Sequence, residues 1–507
     1  VLACDPGEIS DDIAAGLGSL LLSQPVMVIL RAGAPGTPAS RLGQAICGTD
    51  SIAGRSLRWI HHAGGRTWSL RTSLGGCQLE LKAHSEIWAT LDGAPLIVAR
   101  KIGRGFVVTL AFHPSLARDT DGSATALIRH LLTFGSQAPV AWLDFSNSLI
   151  LRMDDPGAAQ NAYHHCWPYP ALDESNWASI QGELRQREAR LSIAYTPGWV
   201  DDGDPARGSL TVANHRPERG PGRIHPSPLV QYQQHADGAP GKLHDYQGEY
   251  RGIQRLRAGG LGDVELHGYT HMHPDTVAWA AAADRYEEIS WFRDFGPAAK
   301  DVLARMPVAQ HPLTLGVGML KKHFGIFPTT LVCPGDEWTD EVLWIALDLG
   351  FQLVDSYYLA LRDGDRFCWA THVCSPYLNE PDAAWFDSGM PVVGYFHDCE
   401  PSLEGVGWIA GCLDNWQKAG ANRFMDFREL ASATGRHLSL SRSKHGMNLS
   451  VVSENAPELV HPLEIMIRSP NEELPESVSA CVDGATMQLS VERLENNCGR
   501  VIVGQRA

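Results

Sequence analysis

Three patterns of apolar and polar positions succeed one another along the chain. Over residues 1–140, the run Val26-Met27-Val28-Ile29-Leu30 ends near Gly33 and reads as a buried strand. Leu96-Ile97-Val98-Ala99 and Phe106-Val107-Val108-Thr109-Leu110 flank "KIGRG" as a hairpin. "GSATALIRHLLTFG" then spaces its apolar residues as a helix does and closes on Gly135 as a C-cap. Over residues 141–436, apolar runs alternate with amphipathic stretches. "SLILRMDD" precedes a helix expected over 174–190, and "RLSIAYTPGW" and "DVELHGYTH" follow. Helical segments then run through the 280s to about 323. "TTLVCPGDEW" leads into "TDEVLWIALDLG", "PVVGYFHD" into "SLEGVGWIAGCLDNWQKAG", and "NRFMDF" into a last helix. This alternation predicts a parallel sheet with helices outside, and about seven strands predict a distorted (β/α)7-type barrel. From 437 to 507, "HLSLSRS", "MNLSVVS", "LEIMIRS", "VSACVDG" and "GRVIVGQ" are short alternating strands. They predict a small β domain, packed against the barrel or binding carbohydrate.

Residues 200–248 break the pattern. They are rich in Pro, Gly and His and poor in apolar runs. A stretch that long inside a domain is expected to form a wall or lid of the active site, with a plain surface excursion as the alternative.

Composition narrows the partners. The net charge is −16 and no long Lys/Arg cluster interrupts it, which speaks against nucleic acid and anionic membranes. No apolar stretch is long enough for an integral membrane segment. Val1-Leu2-Ala3-Cys4 is similar to the end of a lipoprotein signal, but no apolar leader precedes it and chance explains it better. The 11 cysteines are an odd number, scattered, and without a C-x-x-C pair. Mostly reduced thiols are expected, which leans towards the cytoplasm, with export as the alternative. Oligomeric state is not legible.

The candidate chemistry sits at strand ends, where ligands bind in α/β sheets and barrels. "SLILRMDDPG" delivers Asp154 and Asp155 to such an end before the breaker pair Pro156-Gly157. Two adjacent carboxylates repel unless a cation or proton lies between them. The pair therefore reads as one metal-ligating carboxylate and one general base, against a bland turn with two solvated Asp residues. His267-Gly268-Tyr269-Thr270-His271 places two imidazoles four apart. With 21 His in 507 residues, about one such pair arises by chance, so placement at a strand end carries the reading. Two His and one Asp make a ligand set with open positions, as catalytic zinc or another divalent metal requires. A zincin protease would need Glu where Gly268 stands, so Asp154 is the available base. His273 competes less well as a ligand. Trp199, Trp338, Tyr357 and Tyr358 could pack against a sugar ring or belong to the core.

"LRMDDPG", "HGYTH", "PGDEW" and "YFHD" together resemble the motifs of the NodB-type polysaccharide deacetylase superfamily, in order and spacing over residues 145–435. The closer similarity is to the divergent branch with the galactosaminogalactan deacetylases. The resemblance implies Asp154 as catalytic base, Asp155, His267 and His271 as metal ligands, and His397 as catalytic acid. Thr270 stands later than the family's ligand-orienting Ser/Thr. "VCPGDEW" keeps Pro334 and Trp338 but lacks the family's Arg, leaving Arg152 as the candidate to orient the base. Glu337 and Trp338 join Trp199 and Arg152 as expected substrate contacts, and backbone N–H groups near Gly335–Glu337 are expected to face an oxyanion. Asp398 or another acid is expected to keep His397 charged. The N-terminal unit is similar to flavodoxin-like or amidotransferase-like α/β domains. The implied function is a metal-dependent hydrolase, using zinc or another divalent transition metal, that removes N-acetyl groups from an amino sugar or N-acetylated glycan. Two alternatives stand beside it: an amidase on a small non-sugar amide, and a non-catalytic glycan-binding protein.

Overall fold

A nine-stranded sheet forms the centre of the molecule. Its strands are β1 (Ser148–Asp154), β2 (Leu191–Tyr195), β3 (Gly262–Leu266), β4 (Thr330–Val332), β5 (Leu353–Asp355), β6 (Leu359–Asp363), β7 (Arg366–Trp369), β8 (Val392–His397) and β9 (Arg423–Met425). They lie in the order β7-β6-β5-β4-β3-β2-β1-β8, with β9 also paired to β1. The pairs β5–β6 and β6–β7 are antiparallel, and the rest are parallel. The computed structural model describes residues 2–4, 6–61, 65–113, 122–236, 239–370, 373–444, 446–453, 457–459, 461–470 and 473–504.

An irregular segment at 374–378 ties one flank of the sheet to the other. Cys374 donates its N–H to Tyr357 just beyond β5, while Val393 and Leu378 N–H groups link the same segment to β8. The sheet therefore curls towards its own edge.

Alternation decides which face each strand residue covers. Leu149, Leu151, Met153, Ile193, Leu266, Leu331 and Phe396 pack under the helices Glu174–Gln186, Tyr246–Ala258, Pro312–Phe324, Asp340–Leu349 and Gly407–Lys418. Ile150, Ala194, Val332, Leu353 and Val393 face the other way. They meet Leu430 and Ala431 of the helix Phe427–Thr434 and Leu449, Val451 and Ile465 of the C-terminal strands. β1 alone buries Leu149, Ile150, Leu151 and Met153 completely. At roughly 1.5–3 kcal/mol per side chain, that burial fixes the strand that carries the acid pair.

Helix 174–190 of the sequence reading is observed as Glu174–Gln186, started by a capping box at Asp173. The C-terminal part forms two four-stranded sheets, and one of them recruits Val140–Leu143 against Leu463–Arg468. The N-terminal sheet has seven strands. Leu2–Cys4, Met27–Arg31 and Gly105–Leu110 are parallel; Ala94–Ile102, Ser85–Leu91, Ile46–Trp59 and Arg66–Glu80 continue as antiparallel neighbours. That meander departs from the all-parallel sheet of a flavodoxin-like unit. A disulfide, Cys47–Cys77, joins its two longest strands, while eight further cysteines among the described residues are free, in keeping with mostly reduced thiols. No helix among the described residues is long and apolar enough to cross a membrane.

Candidate metal centre

The strand ends of β1 and β3 build the site. β1 turns Arg152 and Asp154 to the same face, and Asp155 follows with φ of +80° before Pro156-Gly157. β3 ends at Leu266, and residues 267–271 form a tight loop in which Gly268 (φ +65°) and His271 (φ +56°) are left-handed. Left-handed backbone at Asp155 and His271 costs about 1–3 kcal/mol each and persists only where neighbours over-determine it. Buried Asp294 does that for the loop. Its carboxylate accepts the N–H groups of Tyr269 (2.7 Å) and His271 (3.1 Å) and the Thr270 hydroxyl (2.9 Å). A Cβ at Gly268 would collide with that carboxylate, which explains the glycine.

Three donor atoms then converge. His267 Nε2 and His271 Nε2 each lie 3.3 Å from Asp155 Oδ1. The potential ligand atoms of the three residues all lie within 4.8 Å of one another, and all three side chains are buried. His267 Nδ1 is 3.0 Å from the Val332 carbonyl, so Nδ1 carries the proton and Nε2 offers its lone pair. Asp155 Oδ1 has no hydrogen-bond partner among the described residues. Burial pushes the His271 imidazole down to about 3, which keeps it neutral and able to ligate. Burial opposes the charge of Asp155, yet the facing imidazoles of His267, His271 and His397 hold its carboxyl well below the usual range. A tetrahedral ion with bonds of about 2.0–2.1 Å separates its ligands by about 3.3 Å. The residues therefore fit a divalent metal.

Asp154 is held apart from this set. Arg152 grips it with two bonds, Nε to Oδ1 at 2.9 Å and Nη2 to Oδ2 at 2.7 Å. The same guanidinium donates to Asp355 Oδ2 at 2.7 Å and to the Ser356 carbonyl at 3.0 Å, and lies 4.7 Å from the Tyr395 ring centroid. Burial alone would discourage its charge, but Asp154, Asp355 and Asp336 raise its pKa further. Arg152 thus positions the free carboxylate beside the metal-ligand set.

His397 ends β8 directly beside Asp154 in the parallel register. Its ring Nδ1 lies 3.6 Å from Glu400 Oε1, and the His397 backbone N–H donates to Glu400 Oε2 at 2.8 Å. Burial lowers its basicity, but Glu400, Asp155 and Asp154 outweigh that and push it up to about 9. Glu400, rather than Asp398, pairs with His397. Asp398 instead accepts the Tyr169 hydroxyl and is fully enclosed.

Asp154, Asp155, His267, His271 and His397 all line one cavity of 370 Å³. Gly335, Asp336 and Tyr357 line it as well. Trp199 does not: it is completely buried, because the small sheets of 198–244 pack it against Tyr163, Tyr246 and Trp279 from neighbouring segments in one aromatic cluster. That corrects its expected role as a sugar platform. No described residue of 200–248 lines the cavity, so this stretch is not its wall. Glu337 and Trp338 also stand outside the lining; Trp338 stacks on Trp369 with centroids 4.9 Å apart. Sequence reasoning missed Trp167, Tyr169, Tyr377 and Tyr395, which line the cavity. The aromatic run "CWPYP" shortly after the acid pair was the available signal for the first two.

No protein-family model matches the chain, and no curated protein matches it. Among solved structures, a provisionally named polysaccharide deacetylase from Mycobacterium smegmatis is 12% identical, with a TM-score of 0.35, over 59% of this chain and 93% of its own. A family 4 acetyl xylan esterase from Clostridium thermocellum, in complex with a cobalt ion, is 9% identical, with a TM-score of 0.26, over 56% and 89%. A family 4 carbohydrate esterase from Bacillus anthracis is 10% identical, with a TM-score of 0.28, over 57% and 85%. Likenesses this distant leave the functional reading to the site's own geometry.

Proposed function

We propose that this chain is a metal-dependent hydrolase that removes N-acetyl groups from an amino sugar or an N-acetylated glycan, as the motif resemblance to NodB-type and galactosaminogalactan deacetylases implies. The observation that carries the reading is the convergence of Asp155 with His267 and His271, beside a carboxylate that is not part of that set, in one cavity. Asp155, His267 and His271 would hold the ion. When bound, a divalent cation supplies Lewis acidity and makes a water molecule acidic near neutral pH.

The chain's own groups do the rest. Asp154, fixed by Arg152, accepts the proton of the attacking water. His397, kept charged by Glu400, donates a proton to the departing amine. Trp167 and Tyr377, both exposed, offer faces on which a pyranose ring can stack, in place of the buried Trp199. Acetate release from N-acetylgalactosamine or N-acetylglucosamine oligomers, with metal analysis of the same preparation, tests the reading. Release that requires one bound ion supports it. Metal without release points to a different amide, and the absence of both metal and release points to a glycan-binding protein.

A further inference from the structure

A second group of potential ligands lies on the same cavity wall. His397, Cys399 and Glu400 place one donor atom each within 4.8 Å of one another. His397 Nδ1 to Glu400 Oε1 is 3.6 Å, and Cys399 Sγ to Glu400 Oε2 is 3.2 Å. A tetrahedral zinc ion with nitrogen, oxygen and sulfur ligands separates them by roughly 3.3–3.7 Å. All three are partly accessible and line the cavity, so an ion can enter without unfolding.

We propose that His397, Cys399 and Glu400 form a second, thiophilic metal site that takes zinc or cobalt and, when filled, disables His397 as a proton donor. The binding claim stands on these three side chains; the inhibition rests on the deacetylase reading. Ion entry forms bonds to the Cys399 sulfur, the His397 nitrogen and a Glu400 oxygen. It expels the thiol proton and the imidazolium proton to solvent. Burial and the carboxylates of Glu400 and Asp398 push the Cys399 thiol pKa up, which disfavours a free thiolate. The Glu400 carboxylate, kept ionised by His397 against the effect of burial, attracts a dication, and a coordinated thiol loses its proton outright. The nearby ligand set of Asp155, His267 and His271 contains no sulfur, so the two sites differ in chemistry as well as position.

Cobalt titration of the metal-free full chain tests this, because a thiolate ligand gives cobalt(II) a near-ultraviolet charge-transfer band that imidazole and carboxylate do not. The expected result is two bound ions and the band in the unaltered chain. Cys399→Ser should bind one ion without the band, and Glu400→Gln should weaken the band while the fold holds by circular dichroism. His271→Ala should bind one ion with the band retained. Absence of the band, or its survival in Cys399→Ser, overturns the proposal. If His271→Ala keeps both ions, the reading of the first site fails while the second stands. Excess zinc should suppress acetate release in the unaltered chain.

Discussion

The two ends of the central sheet both gather buried acids, yet only one end is arranged for chemistry. At the ends where β1 and β3 stop, Asp155 faces two imidazoles and Asp154 is gripped by Arg152. At the opposite end, Glu265 accepts the N–H groups of Thr329 (2.6 Å) and Thr330 (2.7 Å) and the Thr329 hydroxyl (2.7 Å). Asp263 accepts the Arg428 N–H at 2.7 Å, and Asp426 caps the helix Phe427–Thr434 through Glu429 N–H at 2.8 Å. These acids spend their lone pairs on backbone donors, and so they staple β3 to β4 and to that helix. The cavity there is the larger, 920 Å³ against 370 Å³, so size does not mark the site. What marks it is a buried carboxylate oxygen aimed at lone pairs instead of N–H groups. Asp263 also has one unpartnered oxygen, but Asp426 and Glu265 surround it and, with burial, push its carboxyl up.

The contrast predicts unequal responses to mutation. The largest effect belongs to His271→Ala and Asp155→Asn, which should abolish both the ion of the first site and acetate release; metal analysis after gel filtration checks the first loss. Retained stoichiometric metal at that site would erase the distinction between the two ends. Asp154→Asn should keep the metal and lower turnover by about 10²–10⁴-fold, the usual worth of a positioned general base. Arg152→Met leaves Asp154 and Asp355 as unpaired buried carboxylates, so denaturant unfolding should report a loss of about 3–5 kcal/mol.

The smallest effect is at the other end, in Asp263→Asn. The folded-state pKa of Asp263 is raised, so the native state holds its proton where the unfolded chain has released it. Stability therefore falls as pH rises above the ordinary carboxylate range towards the folded value. The variant should flatten that slope in thermal melts, with little change at acid pH and unaltered metal content and turnover. A loss of metal in this variant would break the comparison.

Much of the site could be read from the sequence because strand ends announce themselves. An apolar run closed by Asp154-Asp155-Pro156-Gly157 is local information, and so is a strand that stops at His267. The partners of these groups were not legible. Arg152 meets Asp355 across 203 positions, and Asp294 holds a loop that precedes it by more than 20 residues. Trp199 looked like a strand-end platform because nothing local showed that Tyr232 and Tyr246 would fold over it.

The order of apolar runs thus determined that a largely parallel sheet would form, and at which end its acids and imidazoles would emerge, because period and breakers act through short-range sterics. Tertiary structure alone decided which acid faces nitrogen lone pairs, which is clamped by a guanidinium, and which is satisfied by backbone N–H groups. Those outcomes depend on charge and desolvation summed over segments that meet only when the sheet has closed around them.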